Sequence, residues 1–406
     1  MNISEAPPHE VLDDMELRVF QSIRSTPEGL SFSTPEAVDY FQSAVAESIG
    51  GGDSPREHKP FRAELRLPSG ESVSCDLPEP PGRELLEAGD VRAYGEALFG
   101  WLFQEKIGEA FRAFRQYTQM SNESFGFGGN LRVRLWLDPR SEKLHSLWWE
   151  VLQDPSDDRP LSTAVAFSRF MRVRTGRRRP VTERPLRMLL LASNPGGLSS
   201  FDLADINVDL EKTILAQATE RLSGLLAVDR EVKPTLRRIY DAQSENRYHI
   251  VHLLAHAVIR DGRGVAILAD EGGAGRGVAC EEVVEALLTG AKEPPRVVFL
   301  ATPLRGEEMA GQTLVSMAPL LVDGGVQAAV AIQSAISEDR LRRFCTRFYE
   351  SLINTGVVDV AMATARGEIY DPDGSEWAYP VLYTSTPDAR LFNVVPESLR
   401  RFKSAW

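Results

Sequence analysis

The stretch Pro295–Gly306, PRVVFLATPLRG, has the composition of a buried β-strand that runs into a proline. Its apolar run from Val297 to Ala301 shows no alternation of polar and apolar side chains, which is typical of a strand covered on both faces. In parallel α/β sheets, functional side chains gather just beyond the carboxyl ends of such strands. Those positions hold Thr302 and Pro303, so a proline lies where a catalytic side chain is expected.

Strand and helix patterns alternate along the chain on both sides of this stretch. Further strand patterns are LRMLLLAS, YHIVHLLAH, GVAILAD, VQAAVAIQ and AYPVLYTS. Helical periodicity occurs in ADINVDLEKTILAQATERL, PTLRRIYDAQ, CEEVVEALL, QTLVSMAPLLVDGG, a segment over Ser337–Leu352 and another near Val357–Arg366. This alternation predicts an α/β fold in which a mostly parallel sheet is flanked by helices on both faces.

The chain divides into five segments by composition and pattern. Residues 1–58 are predicted to be an N-terminal appendage and linker, because they lead into the Gly- and Pro-containing run GGGDSPREHKP. Residues 59–175 are predicted to form a smaller α+β subdomain, since the hairpin pattern FRAELRLPSGESVSCDL precedes helical periodicity and the strand pattern LRVRLWLD. Residues 176–185 are then a linker, residues 186–396 the α/β core and residues 397–406 a tail.

The charge of the chain restricts the partners that it can have. Its 406 residues carry a formal net charge of −12, which argues against the broad phosphate contacts of a nucleic-acid-binding protein. The basic segment Arg172–Arg187, RVRTGRRRPVTERPLR, is a local exception. Because Gly176, Pro180 and Pro185 interrupt it, a solvated linker is favoured over a nucleic-acid patch.

The sequence shows neither a membrane-spanning pattern nor an export signal. No stretch approaches the roughly 18 consecutive apolar residues that a transmembrane helix needs. The N-terminal sequence MNISEAPPHEVLDDMELR is acidic and has no apolar core, unlike a signal peptide. We therefore expect a cytoplasmic protein without membrane contact.

The cysteine pattern argues against a disulfide framework and against a structural zinc site. Cys75, Cys280 and Cys345 are far apart, odd in number and without a CxxC pair. Cys345 is predicted to lie on or beside the buried face of its helix. Cys280 is predicted to be a first-turn residue of the helix CEEVVEALL, although a thiol at a helix N-terminus can be acidified.

Three histidines cluster in the strand pattern YHIVHLLAHA, namely His249, His252 and His256. No acidic or cysteine partner is adjacent to them, so a metal site is not expected. His256 differs from the other two because it lies at the end of the strand, where function gathers in this class of sheet. On its own, His256 is better explained as a hydrogen-bonded structural residue than as a catalyst.

Motifs that define several enzyme classes do not occur in the chain. No GxGxxG follows a strand, SNPGGLSS lacks the GK[ST] of a phosphate-binding loop, and no GxSxG elbow is present. The Gly-rich segment Glu271–Gly277, EGGAGRG, has no strand-to-helix context and is predicted to be a mobile surface loop. No cofactor is therefore expected.

Taken together, these segments resemble the CHAT domain, a caspase-like family of mostly prokaryotic cysteine peptidases. LHSLWWEVLQDP resembles the family's Pro-Trp-Glu-Leu segment, HIVHLLAHAVI its strand that ends in His-Gly, and RVVFLATPLRG its strand that ends in Ala-Cys. The helices that follow and WAYPVLYTS extend the resemblance over roughly Phe61 to Phe392. The resemblance implies a caspase-type sheet with a smaller N-terminal subdomain.

Both catalytic motifs of that family are altered in this sequence. His256 matches the family histidine, but Ala257 stands where the family usually has glycine. Without gaps, Pro303 takes the place of the nucleophilic cysteine, and a slip of one residue places Thr302 there instead. Proline has no nucleophilic atom and no N–H to donate to an oxyanion, and an internal threonine is a poor nucleophile without a nearby base. The resemblance thus predicts a pseudopeptidase, with no catalytic residue and only a remnant site.

Three functions follow from this reading, in order of preference. The first is a non-catalytic, caspase-like protein that binds a protein partner, such as one encoded nearby, as a regulatory or scaffolding component of a bacterial defence or signalling system. That setting is implied by the family alone. The second is an active cysteine peptidase with a relocated nucleophile, Cys280, and His256 as its base. The third is a ligand sensor whose vacant cleft is lined by His256, Arg305 and Glu271–Gly277.

Overall fold

A computed structural model of the chain describes residues 13–21, 59–120, 131–174, 178–201, 203, 222, 224–260, 263–301 and 308–393. The strands in these residues are β1 (Asp13–Gln21), β2 (Phe61–Arg66), β3 (Ser72–Leu77), β4 (Leu131–Leu137), β5 (Ala166–Phe170), β6 (Leu186–Ala192), β7 (Leu226–Val232), β8 (Ile250–Leu254), β9 (Ala257–Arg260), β10 (Arg263–Ala269), β11 (Gly275–Ala279), β12 (Val297–Ala301), β13 (Ala328–Ile332) and β14 (Pro380–Thr384).

The α-helices of the described residues lie singly or in groups between these strands, and those of the second half follow the predicted periodicity. They are α1 (Glu84–Glu87), α2 (Val91–Leu102), α3 (Glu105–Met120), α4 (Glu142–Ser146), α5 (Leu161–Ala164), α6 (Leu236–Glu245), α7 (Cys280–Thr289), α8 (Glu308–Asp323), α9 (Glu338–Thr355) and α10 (Val358–Glu368). The helix predicted over ADINVDLEKTILAQATERL lies outside the described residues.

Among the described residues, eleven strands form one large sheet in the order β3-β2-β1-β4-β5-β14-β13-β12-β8-β6-β7. The central strand β12 pairs in parallel with β8 on one side and with β13 on the other. Antiparallel pairs occur only where β1, β2 and β3 meet and where β14 joins β13, among the pairs of this sheet. The predicted fold class, a mostly parallel α/β sheet flanked by helices, is confirmed.

The strand β12 is buried on both faces, as its unbroken apolar run predicts. Val297 and Phe299 belong to one apolar cluster, and Val298 and Leu300 to a second one on the opposite face. Parallel strands need covering layers on both sides, because the crossover helices pack on both faces of the sheet. The second cluster includes Leu314 of α8, and the first includes Phe344 of α9.

The structure corrects the prediction that residues 1–58 are only an appendage. Asp13–Gln21, DDMELRVFQ, forms β1 and lies between β2 and β4, paired in parallel with β4. Met15, Leu17 and Val19 are buried in the main apolar cluster, whereas the polar residues between them face the other side of the sheet. The period-2 pattern of a half-buried strand is present in the sequence, but the strand's partners lie at least forty residues further along the chain.

The predicted subdomain and the predicted core are two halves of one sheet. They meet where β5 pairs with β14, through Tyr383 opposite Arg169 and Thr384 opposite Phe170. One apolar cluster contains side chains from both halves, for example Phe167 and Leu382. The predicted boundary near residue 175 therefore divides one continuous sheet, and the two segments on either side of it share one hydrophobic core.

The described parts of the basic segment, residues 172–174 and 178–187, make several contacts with the core. Arg178 Nη1 donates to the carbonyl oxygen of Pro294 at 2.8 Å, and Val181 forms a bridge with Phe392. Arg187 Nη2 donates to Asp229 Oδ2 at 2.5 Å. Some arginines of the described part are thus anchored to the core, whereas Arg174, Arg179 and Glu183 are exposed, as a solvated linker predicts.

His252 is a structural histidine in the core, on the face of β8 that α9 covers. It is 1% exposed, its Nδ1 lies 2.8 Å from the hydroxyl of Tyr349, and its ring stacks on Phe299 with centroids 4.7 Å apart. Burial lowers the pKa of His252 to about 3. The ring is therefore neutral in the folded protein at physiological pH.

We expect His252→Phe to reduce the acid sensitivity of the fold. An unfolded histidine titrates near pH 6.5, so the unfolded chain binds this proton more readily, and stability falls as the pH drops from about 6.5 towards 3. Relative to the natural protein, the variant should gain about 2 kcal/mol in free energy of unfolding between pH 7.5 and pH 5. Urea unfolding at the two pH values measures this gain.

The matched control for that measurement is Tyr349→Phe, which removes the hydroxyl partner of His252 but no group that titrates below pH 8. Its stability difference from the natural protein should be the same at both pH values. If the free energy of unfolding of His252→Phe differed from that of the natural protein by the same amount at both pH values, His252 would not be neutral in the folded protein.

Candidate functional site

The carboxyl ends of β6, β8 and β12 lie side by side and form one rim of the sheet. Leu254 of β8 is in register with Ala301 of β12, and the N–H of Ala255 donates to the carbonyl oxygen of Ala301 at 3.1 Å. On the other side, the N–H of Ser193 donates to the carbonyl oxygen of Leu254 at 2.8 Å. His256, the next residue after Ala255, therefore lies at this rim, where it is 2% exposed.

The residues that follow Ala301 are Thr302 and Pro303, and both lie outside the described residues, as does Arg305. Their identities are known from the sequence alone. The structure thus places His256, the histidine of the predicted site, at the rim, next to the end of the strand that precedes Thr302 and Pro303 in the sequence.

Ala257 begins β9, and the direction of its backbone N–H follows from the pairing of β9 with β10. The N–H of Ile267 donates to the carbonyl oxygen of His256 at 2.9 Å, and Ala257 pairs with Ala266. In an antiparallel ladder, hydrogen-bonded and non-hydrogen-bonded pairs alternate, so Ala257 occupies a non-hydrogen-bonded position and its N–H points away from β10. The extended backbone of a strand accommodates the Cβ of alanine, so one outward-pointing backbone donor is kept at this position.

The Gly-rich segment Glu271–Gly277 is held in place by hydrogen bonds on both of its sides. Gly196 donates to the carbonyl oxygen of Gly273 at 2.8 Å, and Gly275 donates back to that of Gly196 at 2.7 Å. Its last residues begin β11, which pairs with β10 in a small sheet of order β11-β10-β9. The prediction of a surface loop is therefore corrected in part, since residues 271–274 form an exposed turn but residues from Gly275 onward belong to β11.

A cleft of about 490 Å³ lies beside this segment, between it and the beginning of α6. Its lining includes Thr235, Arg237, Asp270, Glu271 and Arg276, but not His256. The predicted cleft is lined by both His256 and the Gly-rich segment. The observed cleft is bordered by the Gly-rich segment but not by His256, so it is a different cleft.

Cys280 begins α7, as predicted, and it is 2% exposed among apolar side chains. Burial, together with the neighbouring Glu281 carboxylate, raises the pKa of its thiol to about 12. Register places Ala279 opposite Val265 and Ala257 opposite Ala266, which puts Cys280 and His256 on opposite sides of β10. At about 3.3 Å per residue and 4.8 Å per strand, their Cα atoms are roughly 14 Å apart.

We expect Cys280 to react slowly with alkylating agents in the folded protein. With a pKa of about 12, its thiolate fraction at pH 8 is smaller than that of an unperturbed thiol by a factor of about 10³. Iodoacetamide labelling followed by mass spectrometry should therefore modify Cys280 at least about 10²-fold more slowly in the native than in the urea-unfolded protein. Equal rates in the two states would contradict a buried thiol and revive the relocated nucleophile.

The three histidines of YHIVHLLAHA are separated by the fold into three environments. His249 lies at the amino end of β8, where its Nδ1 accepts a hydrogen bond from the N–H of Arg187 at 2.9 Å. His252 is in the core, and His256 is at the carboxyl rim. Among the residues that the structure describes, no three His, Cys, Asp or Glu side chains converge in a way that could hold a metal ion.

A buried ionic cluster, which sequence reasoning missed, joins the two halves of the sheet. Arg169 on β5 donates through Nε and Nη2 to the two carboxylate oxygens of Glu150, at 3.0 and 2.7 Å, and through Nη1 to Tyr383 Oη at 3.1 Å. Burial alone would lower the pKa of Arg169, but the Glu150 carboxylate outweighs burial and raises it. Arg366 lies near the same carboxylate, and burial lowers its pKa to about 10.

The described helices do not include one that is long and apolar enough to cross a bilayer. The fold and the rim define an α/β protein whose mostly parallel sheet carries a histidine beside the end of its central strand. The model of the CHAT domain matches residues 92–391, so the chain belongs to the CHAT domain family. It is therefore related to the caspase-like cysteine peptidases, and the predicted resemblance is confirmed.

Several solved structures are similar to the chain at low sequence identity. The complex of the pro- and mature domains of RgpB from Porphyromonas gingivalis has a TM-score of 0.41 and 16% identity, over 78% of this chain and 79% of that one. The separase–securin complex of Saccharomyces cerevisiae has a TM-score of 0.39 and 12% identity, over 89% and 23%. The Drosophila initiator caspase Dronc has a TM-score of 0.32 and 8% identity, over 56% and 97%. A search of curated proteins found no match.

Proposed function

We propose that the chain is a non-catalytic, caspase-like member of the CHAT family that acts by binding a protein partner. The observation that carries this proposal is the pair Thr302 and Pro303, which continues the chain from the rim end of β12. A peptidase of this family needs a thiolate at that place, and proline supplies neither a nucleophile nor a backbone N–H.

The rim supports the proposal because it keeps only part of the catalytic machinery. His256 lies beside the end of β12, and the N–H of Ala257 points out of the β9–β10 ladder. An oxyanion hole of this kind uses more than one donor, and the loss of one donor costs about 10²–10³ in rate. A chain that has the caspase-like fold but no cysteine at the place of the nucleophile can still bind a partner through its surface.

The partner in this proposal is a protein, and the role of the chain is regulatory or scaffolding within a bacterial defence or signalling system in the cytoplasm. This setting comes from the family. The negative net charge of −12 favours a protein partner over nucleic acid.

The test combines a peptidase assay with a binding assay on the full chain. The purified protein should cleave no member of a mixed peptide library and should react with no peptidyl probe that captures catalytic cysteines. The tagged chain, mixed with the purified product of each neighbouring gene, should form a stable complex with one of them in size-exclusion chromatography. Cleavage that disappears in His256→Ala would overturn the proposal, and so would the absence of any complex.

A ligand sensor is the second candidate, and the cleft beside the Gly-rich segment is the observation that favours it. Its lining combines Arg237 and Arg276 with Asp270 and Glu271, a mixed set of charges that suits a polar ligand. A thermal-shift screen with nucleotides and peptides tests this function, and flat melting curves across the screen would reject it.

A further inference from the structure

A group of basic side chains lies at the amino edge of the sheet, opposite to the rim that carries His256. We call Arg178, Arg247, Arg296 and His249 the amino-edge cluster. His249 and Arg296 directly precede β8 and β12, and the N–H of Arg296 donates to the carbonyl oxygen of His249 at 2.8 Å. The cluster therefore stands on two adjacent central strands of the sheet.

The three arginines of the cluster converge on one carboxylate oxygen. Glu293 Oε2 lies 3.1 Å from Arg178 Nη2, 2.7 Å from Arg247 Nη2 and 4.0 Å from Arg296 Nη2. Glu183 receives a further hydrogen bond from Arg247 Nη1 at 2.9 Å. Three guanidinium groups thus share two carboxylates, and the cluster keeps an excess of positive charge.

His249 adds a hydrogen-bond donor whose nearest acceptor, a carboxylate oxygen of Glu183, lies slightly beyond hydrogen-bond distance. Its Nδ1 accepts from the N–H of Arg187, so in the neutral ring the proton is on Nε2. That nitrogen has no hydrogen-bond partner and lies 3.6 Å from Glu183 Oε2, while the side chain is only 4% exposed. An acceptor at hydrogen-bond distance would satisfy this buried donor better than the long contact with Glu183 does.

Arg296 and His249 form a buried floor, Arg178 and Arg247 lie at its more exposed edge, and the two carboxylates are exposed as well. The side chain of Arg296 is 7% exposed and donates to Gln327 Oε1 at 2.6 Å, whereas those of Glu293 and Glu183 are 48% and 59% exposed. Burial and the neighbouring Arg178 lower the pKa of Arg296 to about 10, so its positive charge is incompletely compensated. The two glutamates are therefore the members that an incoming anion can displace.

We propose that the amino-edge cluster binds a phosphate group, and that Glu293 occupies the same position until the phosphate displaces it. A phosphate dianion offers more charge and more acceptor oxygens than one carboxylate, and it suits several guanidinium groups that approach from different directions. The cluster is a small group of cations with an acidic edge in an acidic protein, so it suits one phosphate of a small molecule better than a nucleic-acid backbone. This proposal does not depend on the loss of catalysis at the rim.

Calorimetric titration of the full chain with inorganic phosphate, at constant ionic strength set with sodium chloride, tests the proposal. We expect saturable one-site binding. Glu293→Gln removes the competing charge and should tighten binding about tenfold, and Arg247→Gln removes a charged donor from the edge of the floor and should weaken it at least about tenfold. Both side chains are partly exposed, so both variants should fold.

The control is Arg92→Gln, which removes an exposed arginine of the distant helix α2 and should leave phosphate affinity unchanged. No saturable binding by either the natural protein or Glu293→Gln would overturn the proposal, as would equal affinities for Arg247→Gln and Arg92→Gln. A parallel titration with adenosine 5′-monophosphate identifies the source of the phosphate. Tighter binding of the nucleotide points to a phosphate ester, and binding no tighter than that of phosphate points to the free ion.

Discussion

Glu150→Gln will destabilise the fold by about 3–5 kcal/mol, because it leaves a buried cation without its carboxylate. The side chains of Arg169 and Glu150 are 2% and 1% exposed and meet through two parallel hydrogen bonds. Without the carboxylate, Arg169 would keep one hydrogen bond to Tyr383 and two longer ones to backbone carbonyl oxygens. None of these partners carries a compensating charge.

A second cation makes the loss of Glu150 more severe. Arg366 is fully buried, donates to the carbonyl oxygen of Pro380 at 2.7 Å and leaves Nη1 without a hydrogen-bond partner. The carboxylate of Glu150 favours the charged form of Arg366, whereas Arg169 disfavours it. Glu150→Gln therefore leaves two guanidinium groups close together in the core, where β5 joins β14.

Urea unfolding of the single and double variants separates charge from packing. Glu150→Gln combined with Arg169→Met removes both partners of the pair and should recover a large part of the lost stability. Glu96→Gln breaks the exposed pair with Arg92 on α2 and should change stability little. If Glu150→Gln were as mild as Glu96→Gln, the cluster would not hold the two halves of the sheet together.

The central strands could be predicted from the sequence because their signal is local. The unbroken apolar runs of β8, β12 and β13 can be read without knowing their neighbours, and all three strands form with buried residues throughout. The strands β9 and β11 could not be predicted in this way. AVIR is short and GRGVA is rich in glycine, so these segments become strands only through pairing with β10.

The site at the rim gives a local signal in the sequence, whereas the ionic cluster does not. His256, Ala257, Thr302 and Pro303 are found from the sequence because each follows a recognisable strand. The Arg169–Glu150 pair gives no such signal, because its partners lie 19 residues apart and its third member, Tyr383, is 214 residues from Arg169. Spacing cannot reveal a contact that exists only once β14 pairs with β5.

Pro303→Cys should create thiol reactivity at the rim that the natural chain lacks. The change adds a nucleophilic sulfur and restores a backbone N–H in one step, while His256 and the outward N–H of Ala257 are already present. Because the natural chain has no sulfur at residues 302 and 303, the variant should react at least about 10²-fold faster than the natural protein with a peptidyl acyloxymethyl ketone. Mass spectrometry locates the modified residue and excludes Cys75, Cys280 and Cys345.

Two further variants show whether the thiol reactivity depends on His256, as it does in a catalytic Cys–His pair. Thr302→Cys tests the alternative register, and the position with the faster reaction identifies where the family nucleophile stood. His256→Ala, added to Pro303→Cys, should abolish the gain, because a thiol without its base at neutral pH is mostly protonated. Labelling that survives the loss of His256 would mean a merely accessible thiol, and it would contradict the view that replacement of the nucleophile is the main lesion at this rim.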